Sequence, residues 1–319
     1  MNIETLDSFP PELDAVASAS PRATFYHTGT WLASLADAYP RLALRVLVAR
    51  DGSHPLAYLP YMVTTRGPFR ALWSLPFGTY GGPVSASGND GLAELMAAFR
   101  RSMAAPGVVE VGWVDFRMDL DTDGGETFAN ETHRVDLSGG FETVFQERYD
   151  KPRRRRIRRA EESGVTVTRA DDPDAVRRFV AVYRDRLRDW DTGAGHPEQL
   201  FTSLVQRGGS NVRLYLAHHD GDVVGGHLNF YFQREVIAWY GMTSARGGEL
   251  HAGNLLYSTC MRDACDAGFA SYNLGSSLGK ASLIEYKQSL GGVAYAYRTV
   301  RRRRALARLA AALLQRPNA

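Results

Sequence analysis

The chain has only two cysteines among 319 residues and no apolar run of membrane-spanning length. Cys260 and Cys265 stand five apart in a segment of helical pattern, which turns them to different faces and fits neither a zinc-ligand nor a dithiol spacing. Both are expected as reduced core or surface residues. Met1 to Leu13 carries acidic and proline residues where a secretory signal needs a basic start and an apolar stretch, so a cytoplasmic protein is expected. Also missing are a Ser-His-Asp arrangement, a metal-ligand cluster and a dinucleotide-binding glycine fingerprint. Hydrolase, metalloenzyme and dehydrogenase chemistry lose their support with them, and no permanently bound cofactor is expected.

What is present is the composition of a folded globular chain, 44% hydrophobic and 23% charged. Its length favours two domains. The net charge of +3 hides an uneven distribution. One basic run holds Lys151, Arg153, Arg154, Arg155, Arg156, Arg158 and Arg159, and a second spans Arg301 to Arg304. Such runs attract phosphate polyanions or anionic membrane surfaces, although a solvated helix face has the same composition.

A duplication organises the chain. Residues 45–52 read Arg-Val-Leu-Val-Ala-Arg-Asp-Gly, and 213–221 read Arg-Leu-Tyr-Leu-Ala-His-His-Asp-Gly, each followed by an apolar strand. Each is a β-hairpin turning at Asp-Gly, and each lies between an amphipathic helix and a further strand, helix and strand. The expected fold class is α/β (α+β): two tandem domains, each a mixed, largely antiparallel sheet flanked by helices. Their expected bounds are 1–150 and 151–300, followed by a basic helical tail over 301–319. The segment from Phe141 to Ser163 reads as one long basic helix ended by Gly164. Arg70 to Leu75 reads as a strand, and Pro76 to Pro83, rich in glycine and proline, as a loop whose backbone comes close to something and is expected to border a substrate cleft near the domain junction.

Several strings together resemble one family. These are Leu75-Pro76-Phe77-Gly78-Thr79-Tyr80-Gly81-Gly82-Pro83, the run from Arg153 to Val165, Gly195-His196-Pro197, and Asn273-Leu274-Gly275-Ser276-Ser277 followed by Glu285-Tyr286-Lys287 and Gly291-Gly292. In order and spacing, over roughly Trp31 to Tyr297, the chain is similar to the FemAB-type (FemABX) branch of the GNAT acyltransferases. The resemblance implies two tandem GNAT-like domains and transfer of an acyl or aminoacyl group to an amine of a cell-envelope precursor or other small molecule or peptide. Aminoacyl-tRNA or acyl-CoA would be the donor, and an acyl-CoA-dependent N-acyltransferase is the alternative enzyme. The chain lacks the long helical hairpin arm that some members use for tRNA. The resemblance further implies that Lys287, in the family's aromatic-lysine pair, sits in the substrate or transition-state site.

Amide formation needs a deprotonated amine, a stabiliser for the oxyanion and a route for a proton. Lys287 is the candidate for charge stabilisation and Tyr240 for a proton relay. Candidate substrate contacts are Tyr80, His196, His227, Asn229, Ser276 and Tyr286; His227 and Asn229 alternate along one strand and so share a face. His251 and Asn254 flank a glycine-rich stretch where donor phosphates are expected, beside Glu249, which would repel them. Arg154, Arg155 and Arg158 are the candidate polyanion contacts. tRNA and, through the basic tail, the inner face of a membrane are the further partners considered, and DNA is not among them. A module without catalysis that binds RNA or an anionic surface is the reading from a different class.

Overall fold

The computed structural model describes residues 1–170, 172–190 and 195–304. Two compact units emerge: residues 1–130 together with the chain from Ala296 onward, and Glu131–Tyr295. The second unit thus begins upstream of the expected boundary at 150/151. The cause is pairing: residues from Thr132 onward are already hydrogen-bonded into its sheet.

Unit 1 opens with β1 (Asn2–Leu6), α1 (Leu13–Ala19) and α2 (Gly29–Ala38). The hairpin β2 (Leu42–Asp51) and β3 (His54–Arg66) follows, turning where Gly52 adopts φ 58°. Next come β4 (Phe69–Ser74), the short β5 (Val84–Ser85), α3 (Leu92–Arg101) and β6 (Val108–Asp115). α3 buries Leu92, Leu95, Met96 and Phe99, an i, i+3, i+4, i+7 stripe that packs on the sheet with Trp113 and Val111. β4 and β6 run parallel, the other neighbouring pairs antiparallel.

Unit 2 contains β7 (Glu126–Asp136, entering it from Glu131), α4 (Gly140–Thr143), α5 (Lys151–Glu162), β8 (Thr166–Ala170), α6 (Pro173–Trp190) and α7 (Glu198–Gly208). The meander β9 (Val212–His219), β10 (Asp222–Phe232) and β11 (Glu235–Thr243) leads into α8 (Ala245–Glu249) and α9 (Ala252–Asp266). β12 (Ser271–Ser276), α10 (Ala281–Ser289) and β13 (Val293–Arg303) complete the described chain. The strand order is β8-β9-β10-β11-β12-β7, matching β1-β2-β3-β4-β6-β13 of unit 1. Among the described residues β11 and β12 pair in parallel in unit 2, as β4 and β6 do in unit 1. The duplication seen in the two Asp-Gly hairpins therefore extends to the whole sheet.

Two expected elements differ. The long helix over 141–163 is interrupted: α4 runs into a π-turn at Val144–Arg148, and α5 restarts where the Asp150 carboxylate accepts from the Arg153 N–H and Pro152 stands in the first turn. Arg301–Arg303, expected to open a basic helix, instead continue β13 antiparallel to β6. Arg301, Arg302 and Arg303 pair with Glu126, Asp123 and Glu110, so this part of the run is internally compensated. Residues 305–319 lie outside the described residues.

Candidate active site

β11 accompanies β12 for only three residues, Glu235 to Ile237. The β10–β11 pairing shifts register at the same height, Leu228 facing Tyr240 and Asn229 facing Ala238, so Trp239 is an extra residue that bulges the strand. Beyond the bulge, Gly241, Met242 and Thr243 have no β12 neighbour and line a cavity of about 510 Å³.

Its wall is built from elements distant in sequence. α5 contributes Arg153 and Arg156, α6 Arg186, β10 His227, α8 Gly247 and Gly248, and α10 Leu283 and Tyr286. Gly253, Asn254 and Tyr257 come from the first turns of α9, with His251 as its N-terminal cap in a left-handed conformation, φ 57°. A helix N-terminus presents unsatisfied N–H groups and a partial positive charge. Glu249 does not line the cavity and pairs at the surface with Arg246.

Arg153 is the unusual member. On α5 it shares the inward stripe with Ile157 and Ala160 and is only 5% exposed. Its guanidinium donates to Ser289 Oγ and Asn254 Oδ1 and lies 4.2 Å from the Tyr286 ring centroid. Among the described residues no carboxylate forms an ion pair with it. A buried charge without a counter-ion is costly, and one that lines a cavity is suited to an anion arriving there.

His227 is buried, its Nδ1 3.2 Å from Asn229 Oδ1 and its ring edge-on to Tyr257 at 4.2 Å. Burial pushes its pKa down to about 4, so it is neutral near pH 7. Burial also lowers that of His251, helped by Arg156, Arg159 and Arg153. The Tyr286 hydroxyl is pushed up to about 12 by burial.

Of the residues singled out in the sequence, the cavity gathers His227, Tyr286, His251 and Asn254, with Asn229 behind His227. Lys287 does not line it. Its ammonium is buried and donates to the carbonyls of Gly275 and Ser276 at 2.6 and 2.8 Å, and burial lowers its pKa to about 8. The Ser276 hydroxyl accepts from the Leu278 N–H and so shapes the same turn. Tyr240 and His196 belong to an aromatic cluster with Tyr183, Phe201 and Trp239, against α6 and α7. Tyr80 is buried in unit 1, stacked on Phe116 at 3.9 Å.

The expected arginine contacts are corrected in part. Arg154 donates to the carbonyls of Phe145, Gln146 and Tyr149, capping the turn before α5. Arg158 is exposed but lines neither this cavity nor a second one, of about 350 Å³, formed by Lys151, Pro152, Arg155, Arg156 and Arg159. Arg155 lines this outer groove, Arg153 the inner cavity, and Arg156 both. A charged residue in register with Ile157 and Ala160 on an amphipathic helix was the signal for Arg153.

With this geometry in place, comparison with known proteins is informative. Residues 149–288 match the acetyltransferase (GNAT) domain model. No curated protein sequence matches the chain. Among solved structures, FemX superposes with a TM-score of 0.68 at 11% identity, covering 92% of this chain and 96% of that one. L-PGS from Bacillus licheniformis gives 0.63 at 16% identity over 98% of both chains. A tandem GNAT protein from the clavulanic acid biosynthesis pathway gives 0.52 at 12% identity, covering 95% and 98%. At such identities the likeness is one of fold. Residues 149–288 are thus similar to a GNAT acetyltransferase domain, within a chain whose overall fold is similar to those of FemX and the tandem GNAT protein.

Proposed function

We propose that the protein is an acyltransferase in which residues 131–295 move an acyl group from a phosphorylated carrier to an amine, forming an amide. The observation that carries this reading is Arg153, a buried guanidinium without a carboxylate partner, facing a 510 Å³ cavity beside the N-terminus of α9. Donor phosphates would lie against Arg153, Arg156 and the α9 N-terminus, with His251 and Asn254 beside them. The acyl end would lie against Gly241 to Thr243, where β11 has an edge free of β12.

Acyl-CoA is the favoured donor. No aspartate or glutamate lines the cavity among the described residues, whereas an aminoacyl ester would bring an ammonium that needs a partner once desolvated. The groove of Lys151, Arg155, Arg156 and Arg159 favours a second reading, aminoacyl-tRNA, because Arg156 belongs to both cavities and would continue a phosphate path outward. The acceptor is an amine of a small molecule, peptide or cell-envelope precursor, and work at the inner face of a membrane accords with the basic groove. No helix among the described residues is long and apolar enough to cross a membrane.

Calorimetric titration of CoA, acetyl-CoA, aminoacyl-tRNA and uncharged tRNA against the wild type and Arg153→Met tests this. At least one phosphorylated donor should bind, and the substitution should weaken it. A protein that binds none of them is not this enzyme.

A further inference from the structure

We propose that His227 is the group that takes the proton from the attacking amine and returns it to the leaving group, with Asn229 as the positioning residue that sets its tautomer. This rests on the acyl-transfer reading of the same cavity. Asn229 is fully buried, and its carboxamide oxygen, which only accepts, faces His227 Nδ1 at 3.2 Å. With the amide oriented this way Nδ1 carries the hydrogen, which in the neutral ring leaves the lone pair on Nε2. Nε2 has no hydrogen-bond partner among the described residues, and the ring forms part of the cavity wall.

The strand opposite makes room for it. Gly241 pairs with His227 across the β10–β11 ladder, and a Cβ there would lie 1.9 Å from Nε2. Any larger residue at 241 would displace the imidazole or occupy the space before it. Tyr257 packs edge-on against the ring, so Asn229, Gly241 and Tyr257 together determine where the lone pair stands.

Arg153, Arg156, Arg186 and His251 are the other ionisable groups of basic type lining the cavity. Burial opposes protonation of His227 more strongly than the Asn229 hydrogen bond favours it, and keeps its lone pair available near neutral pH. Tyr257 and Tyr286 hold their protons, since burial raises both. His251 caps α9 at the end assigned to phosphates, which leaves His227 as the basic atom beside the unaccompanied part of β11.

The step balances without another reactant. The free amine's lone pair forms the N–C bond to the acyl carbon, giving an adduct with an ammonium nitrogen and an oxyanion. Nε2 takes one N–H proton, which in this adduct is far more acidic than in a free alkylammonium. The oxyanion then collapses, the bond from carbon to sulfur (or to oxygen in an ester donor) breaks with its electron pair leaving on the heteroatom, and Nε2 gives that atom the proton. Amide and protonated carrier leave, and His227 is neutral again.

The test combines nitrogen NMR of histidine-labelled protein at pH 7 with thiol release from acetyl-CoA in the presence of glycinamide. His227 should show a protonated Nδ1 and a bare Nε2. Asn229→Leu should shift the signal toward the Nε2–H tautomer and slow turnover, and Asn229→Asp, which keeps an acceptor, should restore both. His227→Gln should lower kcat by about 100-fold or more while CoA affinity stays within threefold. A native Nε2–H or doubly protonated ring, or a His227→Gln variant as fast as the wild type, overturns the proposal. If the wild type neither binds nor turns over acetyl-CoA, the acyl-CoA reading fails on its own, and the tautomer still decides whether His227 can be the base.

Discussion

The two units repeat one strand order but treat the gap beside their parallel strand pair in opposite ways. In unit 1, β4 pairs with β6 from Arg70 to Ser74, and the following loop extends that pairing, Gly81 donating its N–H to the Val114 carbonyl. A Cβ at Gly81 would lie 1.9 Å from the Ser74 carbonyl oxygen, so the loop fits there only as glycine. Tyr80 stacks on Phe116, and the cavity left around it is about 10 Å³, room for roughly one water. In unit 2 the corresponding strands part after three residues, and Ser244 caps α8 at once, with no intervening loop. What remains is the 510 Å³ cavity. At matching places of the duplicated sheet, one copy leaves a cavity and the other packs side chains, the difference lying in the nine residues from Leu75 to Pro83 and the bulge at Trp239.

The largest effects should separate the two copies. Tyr80→Ala should cost about 3–5 kcal/mol of stability, as truncation of a buried aromatic does, and leave the donor affinity of the folded protein unchanged. Arg153→Met should do the reverse, weakening the phosphorylated donor about 100-fold, the equivalent of one charge-assisted contact of roughly 3 kcal/mol, with a small change in melting temperature. Denaturant melts and calorimetry on both variants check the pair. Donor binding lost with Tyr80 and kept without Arg153 would break the comparison.

Acid should strain both copies alike. His27 in unit 1 and His227 in unit 2 are buried and pushed down to about 4 from an ordinary value of 6.5. The unfolded chain binds protons at these residues below about pH 6.5 while the folded one does not until about pH 4. Stability is thus fully present above 6.5 and declines as pH falls through that window, by on the order of 3 kcal/mol per histidine. Urea melts at pH 7 and pH 4.5 measure the loss. His27→Gln and His227→Gln should each flatten the dependence, and a flat profile in the wild type would contradict the burial argument.

Lys287 offers a smaller and more discriminating effect. Its two bonds to the Gly275 and Ser276 carbonyls hold the end of β12 at the turn into α10. Lys287→Met should therefore lower stability by about 2–3 kcal/mol, with turnover falling alongside. Unchanged melting with turnover lost would place the ammonium in the transition state, as the family resemblance implies.

The contrast between the units also marks where reading from sequence succeeds. The hairpins were legible because Asp-Gly turns and alternating strands are local signals. The interruption before α5 was equally local, in Asp150-Lys151-Pro152, yet it was masked by the continuous basic run. The strand at Arg301–Arg303 was not legible: its partners Glu126, Asp123 and Glu110 lie far back in the chain, while its own neighbours are the helix-favouring Ala305 to Leu314. The cavity depends on non-local facts of the same kind. His227, Tyr286, His251 and Asn254 could be named from motif and alternation, but that Arg153 faces them, and that Arg154 turns away to cap a helical turn, follows from packing alone.

The smallest predicted effect concerns the outer groove. Lys151, Arg155 and Arg159 recur every four residues on the exposed face of α5, and Arg156 joins them to the donor cavity. If the donor is a nucleic acid, each phosphate held there releases counter-ions, and the logarithm of affinity falls linearly with the logarithm of salt. Replacing Arg155, Arg156 and Arg159 by Gln should then flatten the slope for tRNA by about two to three units. Arg158→Gln and Arg154→Gln should leave it nearly unchanged, since the first lies off the groove and the second is committed to carbonyls. With CoA as donor, a small ligand held in the inner cavity, only the Arg156 share should appear, a change of about one unit. Filter binding from 50 to 300 mM salt with both ligands therefore assigns the carrier. An unchanged tRNA slope would return the outer face of α5 to a solvated surface and confine the site to the inner cavity.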